Sequence, residues 1–579
     1  MTSPVQGPAV DAVPVDAGKL LDVLIRDLNL DDIGYLRHLV HFDGGYPFLP
    51  LPHKSQAASA ALLGLFGLAS ARLLQIRGTQ APHISINTDH ATLFMASSSL
   101  VRLNGRPMSS PEFSSLIPNI NEEPHTFLGR ETTNMYRTKD GRYFYMHGSF
   151  APSLVLKILG IDPDQPVVDV RHAKELIGAQ CSLYTADALR LLFPSLDFVG
   201  DIVLRPDEFD RSPQGRLLHA LPLARFIPIP SRNTATAPPY PPLAGPSSKP
   251  LEGIRVLELT RATAGGVAGR LLAEMGATVT RVISPHLPDF SALQPDCNLD
   301  KRPVHIDLRT RFGRQQMRHL LETADIFLQG YQPGSMDKLG LSHAQLAALG
   351  DARGKPFVII DEQCYGGVLE RGEWGRRPGY AQIADSVTGI AWETGSACGQ
   401  DTPLIPCLPI TQYCTAILCA AFAVLGLVRR SLVPGTVAVP VAMCSFGVWL
   451  RQQKRYPEDW VRATYNSGPR FDYRTGLTDM LSQTLHHQFS IDPSYSQPQF
   501  YNTILRTGFD GKAVVRGVPR AAIDMLGASL THVAPVIRLH GIETRYKCSV
   551  PWGYFRPGWD EDDADALDRK LGIRRYRIR

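Results

Sequence analysis

The sequence predicts an α/β protein with a doubly wound parallel sheet, a small α+β domain and a partial internal duplication. Three observations lead there. Apolar strands alternate with helical segments over about 110 residues from residue 254. A proline-rich connector at 227–250 divides the chain into 1–226 and 251–579. An apolar helix following a Leu-Pro pair occurs twice, near residues 51 and 408.

In the first unit, "LPHKSQAASAALLGLFGLASARL" (51–73) reads as a helix and "HISINT" (83–88) as a strand. "RTKDGRYFYMHG" (137–148) reads as a hairpin turning at Asp140-Gly141. The segments after it complete a small α+β region over about 100–215. "IPIPSRNTATAPPYPPLAGPSSKP" (227–250) is nearly free of charge and cannot form a core, so an extended connector is expected.

The second unit opens with "IRVLEL" (254–259) as a strand, a small-residue turn (260–269) and a short helix stopped by Gly276. Strands follow at 277–283, 302–308, 325–331 and 356–366, with a helix over 311–324. "LPITQYCTAILCAAFAVLGLVRR" (408–430) matches 51–73, and "TVAVPVAM" (436–443) matches the strand at 83–88. The register of this repeat sets Ser55 against Gln412 and Gly78 against Gly435.

The 579 residues are 44% hydrophobic and 20% charged, enough for ordinary cores. A net charge of +5 spread over this length argues against a nucleic-acid partner, and the basic tail 574–579 reads as solvated. Nine cysteines without regular spacing suit reduced thiols in a cytoplasmic protein, with no metal site. The N-terminus lacks the basic and apolar regions of a secretory signal. The longest apolar run, 414–428, is short of the roughly 20 residues of a membrane span, so a buried helix and no membrane contact are expected.

No phosphate loop, GxGxxG, HExxH or GxSxG is found. "TAGG" (263–266) joins a strand to a helix N-terminus, where backbone N–H groups suit a phosphate or carbonyl oxygen, or simply a tight turn.

"LEGIRVLELTRATAGGVAGRLLAEMGATVTRV", "NLDKRPVHIDLRTRFGRQQMRHLLETADIFLQGYQPGSMDKLGLS" and "YGGVLERGEWGRRPGYAQIADSVTGI" together resemble the family III CoA-transferases. That family includes formyl-CoA transferase, carnitine CoA-transferases and alpha-methylacyl-CoA racemase. The resemblance is strong over 251–445, and the first part is similar to the catalytic helix, small domain and return strand of another copy. Long, internally duplicated members look like this chain. The resemblance implies a CoA thioester substrate, no required cofactor and a homodimer, often of interlocked chains.

In the family, an Asp three positions after the helix-leading Pro attacks the acyl-CoA or exchanges its alpha proton. Here Gln412 stands at that position, and Ser55 in the first copy. An amide is no carboxylate nucleophile; what it keeps is hydrogen bonding. Ser55 becomes a nucleophile only with a base beside it, and His53 is the nearest. Gln332 replaces Arg in Arg-Pro-Gly, Ile283 a frequent Glu, and Gly266 a Pro. Ala264, Gly265 and Gly266 match the first turn, and Arg281, Lys301 and Arg302 resemble cations lining the nucleotide end of CoA.

The expected function is therefore a family III scaffold repurposed for cyclisation or isomerisation of an acyl or polyketide-like substrate in a biosynthetic pathway, with Gln412, Tyr380, Tyr413, Asp385 and Glu393 as candidate site residues. Two alternatives stand beside it. One is an acyl-CoA transferase or racemase using a displaced carboxylate, Asp385 being nearest. The other is an acyl-CoA-binding scaffold without turnover.

Overall fold

The alternation of apolar runs and helices builds a seven-stranded sheet. In the computed structural model, which describes residues 10–108, 110–111, 126–148, 150–230, 239–370, 372–489, 501–504, 529–550 and 552–571, its order is Lys301–His305, Thr278–Ile283, Arg255–Leu259, Ile326–Gln329, Val358–Gln363, Val437–Ala442 and Ile227–Pro228. Every pairing is parallel except the last. The chain leaves Arg255–Leu259 in one direction and returns on its other side with Ile326–Gln329, so the strand order reverses there, where such sheets hold ligands.

Burial on both faces explains the continuous apolar strands: all six residues of Val358–Gln363 and of Val437–Ala442 are buried. The helix after the first strand begins earlier than the sequence suggests, at Ala264, and runs to Glu274. Its small residues are packing devices. A Cβ on Gly265 would stand 2.3 Å from Thr260 Cγ2, and one on Gly269 only 1.9 Å from Glu258 Oε2.

Two long helices form the centre, Ser55–Ile76 and Ile410–Arg430. Both are apolar on nearly every face, and they pack against each other inside the fold. Each is long and apolar enough to cross a membrane by length and composition, yet each is a buried core helix. Gly426 lets the second approach its sheet, since a Cβ there would lie 2.4 Å from Val358 Cγ1. Both helices lead into a strand parallel to an earlier one: Ile84–Asn87 beside Val40–Asp43, and Val437–Ala442 beside Val358–Gln363.

The repeat is thus structural, but its register differs from the sequence reading. The long helix starts at Ser55 in one copy and Ile410 in the other, and the next helix at Thr88 and Met443, the same interval in both. Gln412 therefore corresponds to Ala57, and Ser55 to Ile410. The Leu-Pro pairs that suggested the other register precede entries of different length.

The small domain is an antiparallel three-stranded sheet, Thr133–Arg137, Tyr143–His147 and Val199–Ile202, with the expected turn at positive-φ Gly141. The connector is no free tether. It begins as the edge strand Ile227–Pro228, and Arg77 donates to the carbonyls of Pro250 (2.8 Å) and Pro241 (2.6 Å). Ile537–Leu539 pairs antiparallel with Ile84–Asn87, so the second unit completes the sheet of the first. The basic tail 574–579 lies outside the described residues.

Candidate functional site

Pro409 turns the chain into the helix Ile410–Arg430, and Gln412, its third residue, is half-buried on the wall of a cavity of about 560 Å³. Ala262 and Thr263, from the turn after the first strand, form a second wall. Ala262 holds φ +58°, a left-handed conformation that costs a non-glycine residue about 1 kcal/mol or more. Tyr380 and Gln382 form a third wall, at the start of the helix Ala381–Val387. The small domain supplies the fourth through Glu131, Thr133 and His147. Thr133 and His147 are direct cross-strand partners, and Glu131 ends the helix Phe127–Glu131 just before them.

The polar side chains facing this space are mostly neutral. The His147 ring stacks on Tyr380 at 4.2 Å, and burial pulls its pKa down to about 3, so it is a neutral imidazole at ordinary pH. Tyr413 also lines the cavity, but its hydroxyl points into the protein, 2.8 Å from Ser98 Oγ and 3.1 Å from the Ser98 N–H. Burial pushes that phenol far up, and Ser98 in turn donates to Asp296 (3.0 Å), which pairs with the buried Arg270 at 2.5 Å. The Gln412 end of the helix is thereby anchored on a buried ionic network.

Glu131 is the buried carboxylate of the wall. Its Oε2 accepts from Asn134 Nδ2 at 2.8 Å and lies 3.8 Å from Lys174 Nζ. Burial raises its pKa, against the pull of Lys174 and Asn134. Asp479 also lines the cavity, but it is more exposed and pairs with Arg130 at 3.5 Å.

Gln412, Tyr380 and Tyr413 are thus brought together by the structure, and the other candidates lie apart. Asp385 is fully buried behind the wall, accepting from the Thr411 hydroxyl, its pKa raised by burial to about 7. Glu393 and His53 pair with each other at 2.7 Å, with Arg451 (3.3 Å) and Arg455 (2.6 Å) on the same carboxylate. Ser55 is 3% exposed and donates to the His53 carbonyl at 3.4 Å. The His53 ring turns its Nε2 to Glu393 instead, so the Ser55–His53 pair does not form a nucleophile and base.

The expected nucleotide-binding cations also need correction. Arg281 is fully buried between Glu258 (3.1 Å) and Asp289 (3.1 Å), and Lys301 donates to Glu258 (2.7 Å) and to the Gly266 carbonyl (2.5 Å). Burial makes these acids indispensable partners, and neither cation can reach a phosphate. Arg302 spans Glu561 (3.0 Å) and the Phe555 ring (4.1 Å). Ala264, Gly265 and Gly266 are buried in their helix. The anion at their turn is the protein's own: Asp289 accepts from the Ala262 N–H at 2.7 Å. Among the described residues, no group of three or more His, Cys, Asp or Glu could hold a metal ion.

Glu131 and His147 escaped the sequence reading. The one signal was polar: His147 closes an otherwise apolar strand, YFYMH, all of it buried.

A sequence model of CoA-transferase family III matches residues 251–465. The acetyl-coenzyme A transferase nodX of Hypoxylon pulicicidum is 33% identical over 480 residues, 80% of this chain and 80% of that protein. An acyl-CoA transferase of Gibberella moniliformis is 33% identical over 409 residues, covering 69% of this chain and 71% of its own. The crystal structure of Rv3272 from M. tuberculosis is 31% identical, covers 35% of this chain and 56% of that one, and has a TM-score of 0.30. The likeness to the two fungal proteins reaches beyond the seven-stranded sheet and takes in most of the chain. A doubly wound sheet, a small antiparallel domain and a cavity between them accompany that identity, and this chain belongs to CoA-transferase family III.

Proposed function

We propose that the acyl group of a CoA thioester reacts in the cavity beside Gln412, and that it passes to an acceptor held there without an acyl-enzyme at residue 412. The observation that carries this reading is an uncharged amide on the wall where the helix start, the first sheet turn and the small domain converge. An amide cannot form an anhydride, but its N–H donors can stabilise a thioester oxygen as it gains negative charge. The names of the two fungal relatives, an acetyl-coenzyme A transferase and an acyl-CoA transferase, favour acetyl or other acyl groups as the cargo. Coenzyme A is then substrate, and no resident cofactor is needed.

Cyclisation or isomerisation of an acyl or polyketide-like substrate is the second reading. The neutral lining favours it, because Gln412, Gln382, Tyr380 and His147 suit holding a reactive conformer. The two readings differ in whether CoA leaves. With acetyl-CoA as donor, transfer releases one free thiol per acylated product, whereas an isomerase releases none. Intact-mass analysis should show no adduct at residue 412. Gln412→Ala should lower kcat on the order of 10²-fold with KM little changed. Gln412→Glu, which keeps the reach but loses the donors, should also be impaired. Full kcat in Gln412→Ala would remove the amide from the mechanism.

A further inference from the structure

We propose that Glu131 is the general base of this cavity and that the acceptor it activates is a lipophilic alcohol. The inference rests on the transfer reading above. Once residue 412 offers no carboxylate, something else must take the proton that an acceptor loses on attack. Glu131 is placed for that. It lines the cavity, is 4% exposed, and is fixed at one oxygen by Asn134 and Lys174. Both of these contacts fall on Oε2.

Other wall groups fit the role less well. His147 is on the same wall, but an imidazole that stays unprotonated down to about pH 3 is a weak base. Asp479 is spent on Arg130 and is 37% exposed. Asp385 is behind the wall, on Thr411. The charged groups around Glu131 are Lys174, Arg130 and Asp479, two cations against one acid. They keep the carboxylate available as an anion while burial keeps it basic.

The acceptor's chemistry follows from the same wall. An ionised carboxylate acceptor has no proton for Glu131 to take. A hydroxyl has one proton to give. Met108, Phe290, Leu293, Leu477 and Leu481 give the chamber an apolar stretch that suits a hydrocarbon body.

The step balances with these groups alone. The alcohol oxygen bonds to the thioester carbonyl carbon as its proton moves to Glu131, and the carbonyl oxygen becomes an oxyanion facing Gln412. Collapse reforms the carbonyl and breaks the carbon–sulfur bond. Glu131 returns its proton to the departing CoA thiolate, leaving an ester and free CoA.

The test uses the full chain, acetyl-CoA, and decanol and menthol as acceptors. Wild type should form the acetyl ester with matching thiol release. Glu131→Gln should lose 10²- to 10³-fold in kcat while still binding acetyl-CoA in calorimetry, and Glu131→Asp should recover part of the loss. The acidic limb of the wild-type kcat–pH profile should be absent from Glu131→Gln. Should Glu131→Gln misfold, Glu131→Asp and the pH limb decide alone. Acetyl-CoA binding without any ester would overturn the alcohol acceptor. Unchanged kcat in Glu131→Gln, or an acetyl adduct trapped on Glu131 by hydroxylamine, would overturn the base. If acetyl-CoA does not bind at all, the transfer reading itself fails.

Discussion

Ser55 and Gln412 stand at the starts of two core helices entered through the same kink, Lys54 at φ −75°, ψ 53° and Pro409 at φ −77°, ψ 57°. Around Ser55 the space is filled by polar pairs: the ion pair of Lys54 with Asp16 at 2.6 Å, and the hydrogen bond between His53 and Glu393 at 2.7 Å. Around Gln412 Asp385 and Asp296 stay behind the wall, and the first layer, mostly neutral but carrying Glu131, Arg130 and Asp479, borders about 560 Å³ of open space. One helix start has become a structural joint and the other a chamber. The difference teaches that two helix starts entered alike can diverge in the room left in front of a residue, since both starts keep polar side chains.

The comparison breaks most readily at Lys54. Lys54→Met leaves Asp16, 2% exposed, as a buried acid without its cation. We expect a loss of about 3 kcal/mol, several degrees in Tm, with acetyl-CoA affinity unchanged in the protein that remains folded. A Lys54→Met protein with wild-type Tm would mean that this start is not a joint.

Asp385 tests the other start through pH. Burial raises its carboxyl from the ordinary 3.8 to about 7, against the Thr411 bond. Between those values the folded state binds the extra proton, so stability falls as pH rises through this window and levels off above it. Asp385→Asn keeps the bond from Thr411 and removes the titration. Urea unfolding at pH 8 should show it more stable than wild type, on the order of 2 kcal/mol, with no advantage at pH 4. Glu393 offers no such gain. Burial would raise its carboxyl too, but His53, Arg451 and Arg455 hold it down.

Ser55→Ala should do least. It removes a 3.4 Å donation to the His53 carbonyl, worth less than about 1 kcal/mol, and leaves kcat intact. Loss of turnover in this variant would place the working site at the first helix and reverse the comparison.

The strands were legible because each is an apolar run between turns; their order in the sheet, and so the switch point, comes from tertiary pairing that the letters do not carry. Gln412 was legible because a polar residue at the start of a buried helix needs a reason. Lys301 and Arg281 carry the family resemblance as cations at the nucleotide end of CoA, yet both are buried against acids. Nothing near them in sequence announces that Glu258 and Asp289 will neutralise them inside. Ser55 was set opposite Gln412 because Leu-Pro pairs align, whereas the start of a helix is fixed by backbone geometry that letters do not carry. Glu131 ends a short helix and His147 a hairpin strand; the hairpin's pattern specifies its turn, not which end will face a cavity walled by residues as distant in the chain as Gln412 and Leu481.

The antiparallel pairing of Ile537–Leu539 with Ile84–Asn87 has a consequence in time. During synthesis at about 5–20 residues per second, some 450 residues must be made after Ile84–Asn87 before its last partner exists. Until then that strand has an open edge, and the joint around Ser55 lacks Glu393, Arg451 and Arg455 as well. The first unit to be translated is therefore among the last to be finished, and its folding is slow by topology rather than by weak local preference.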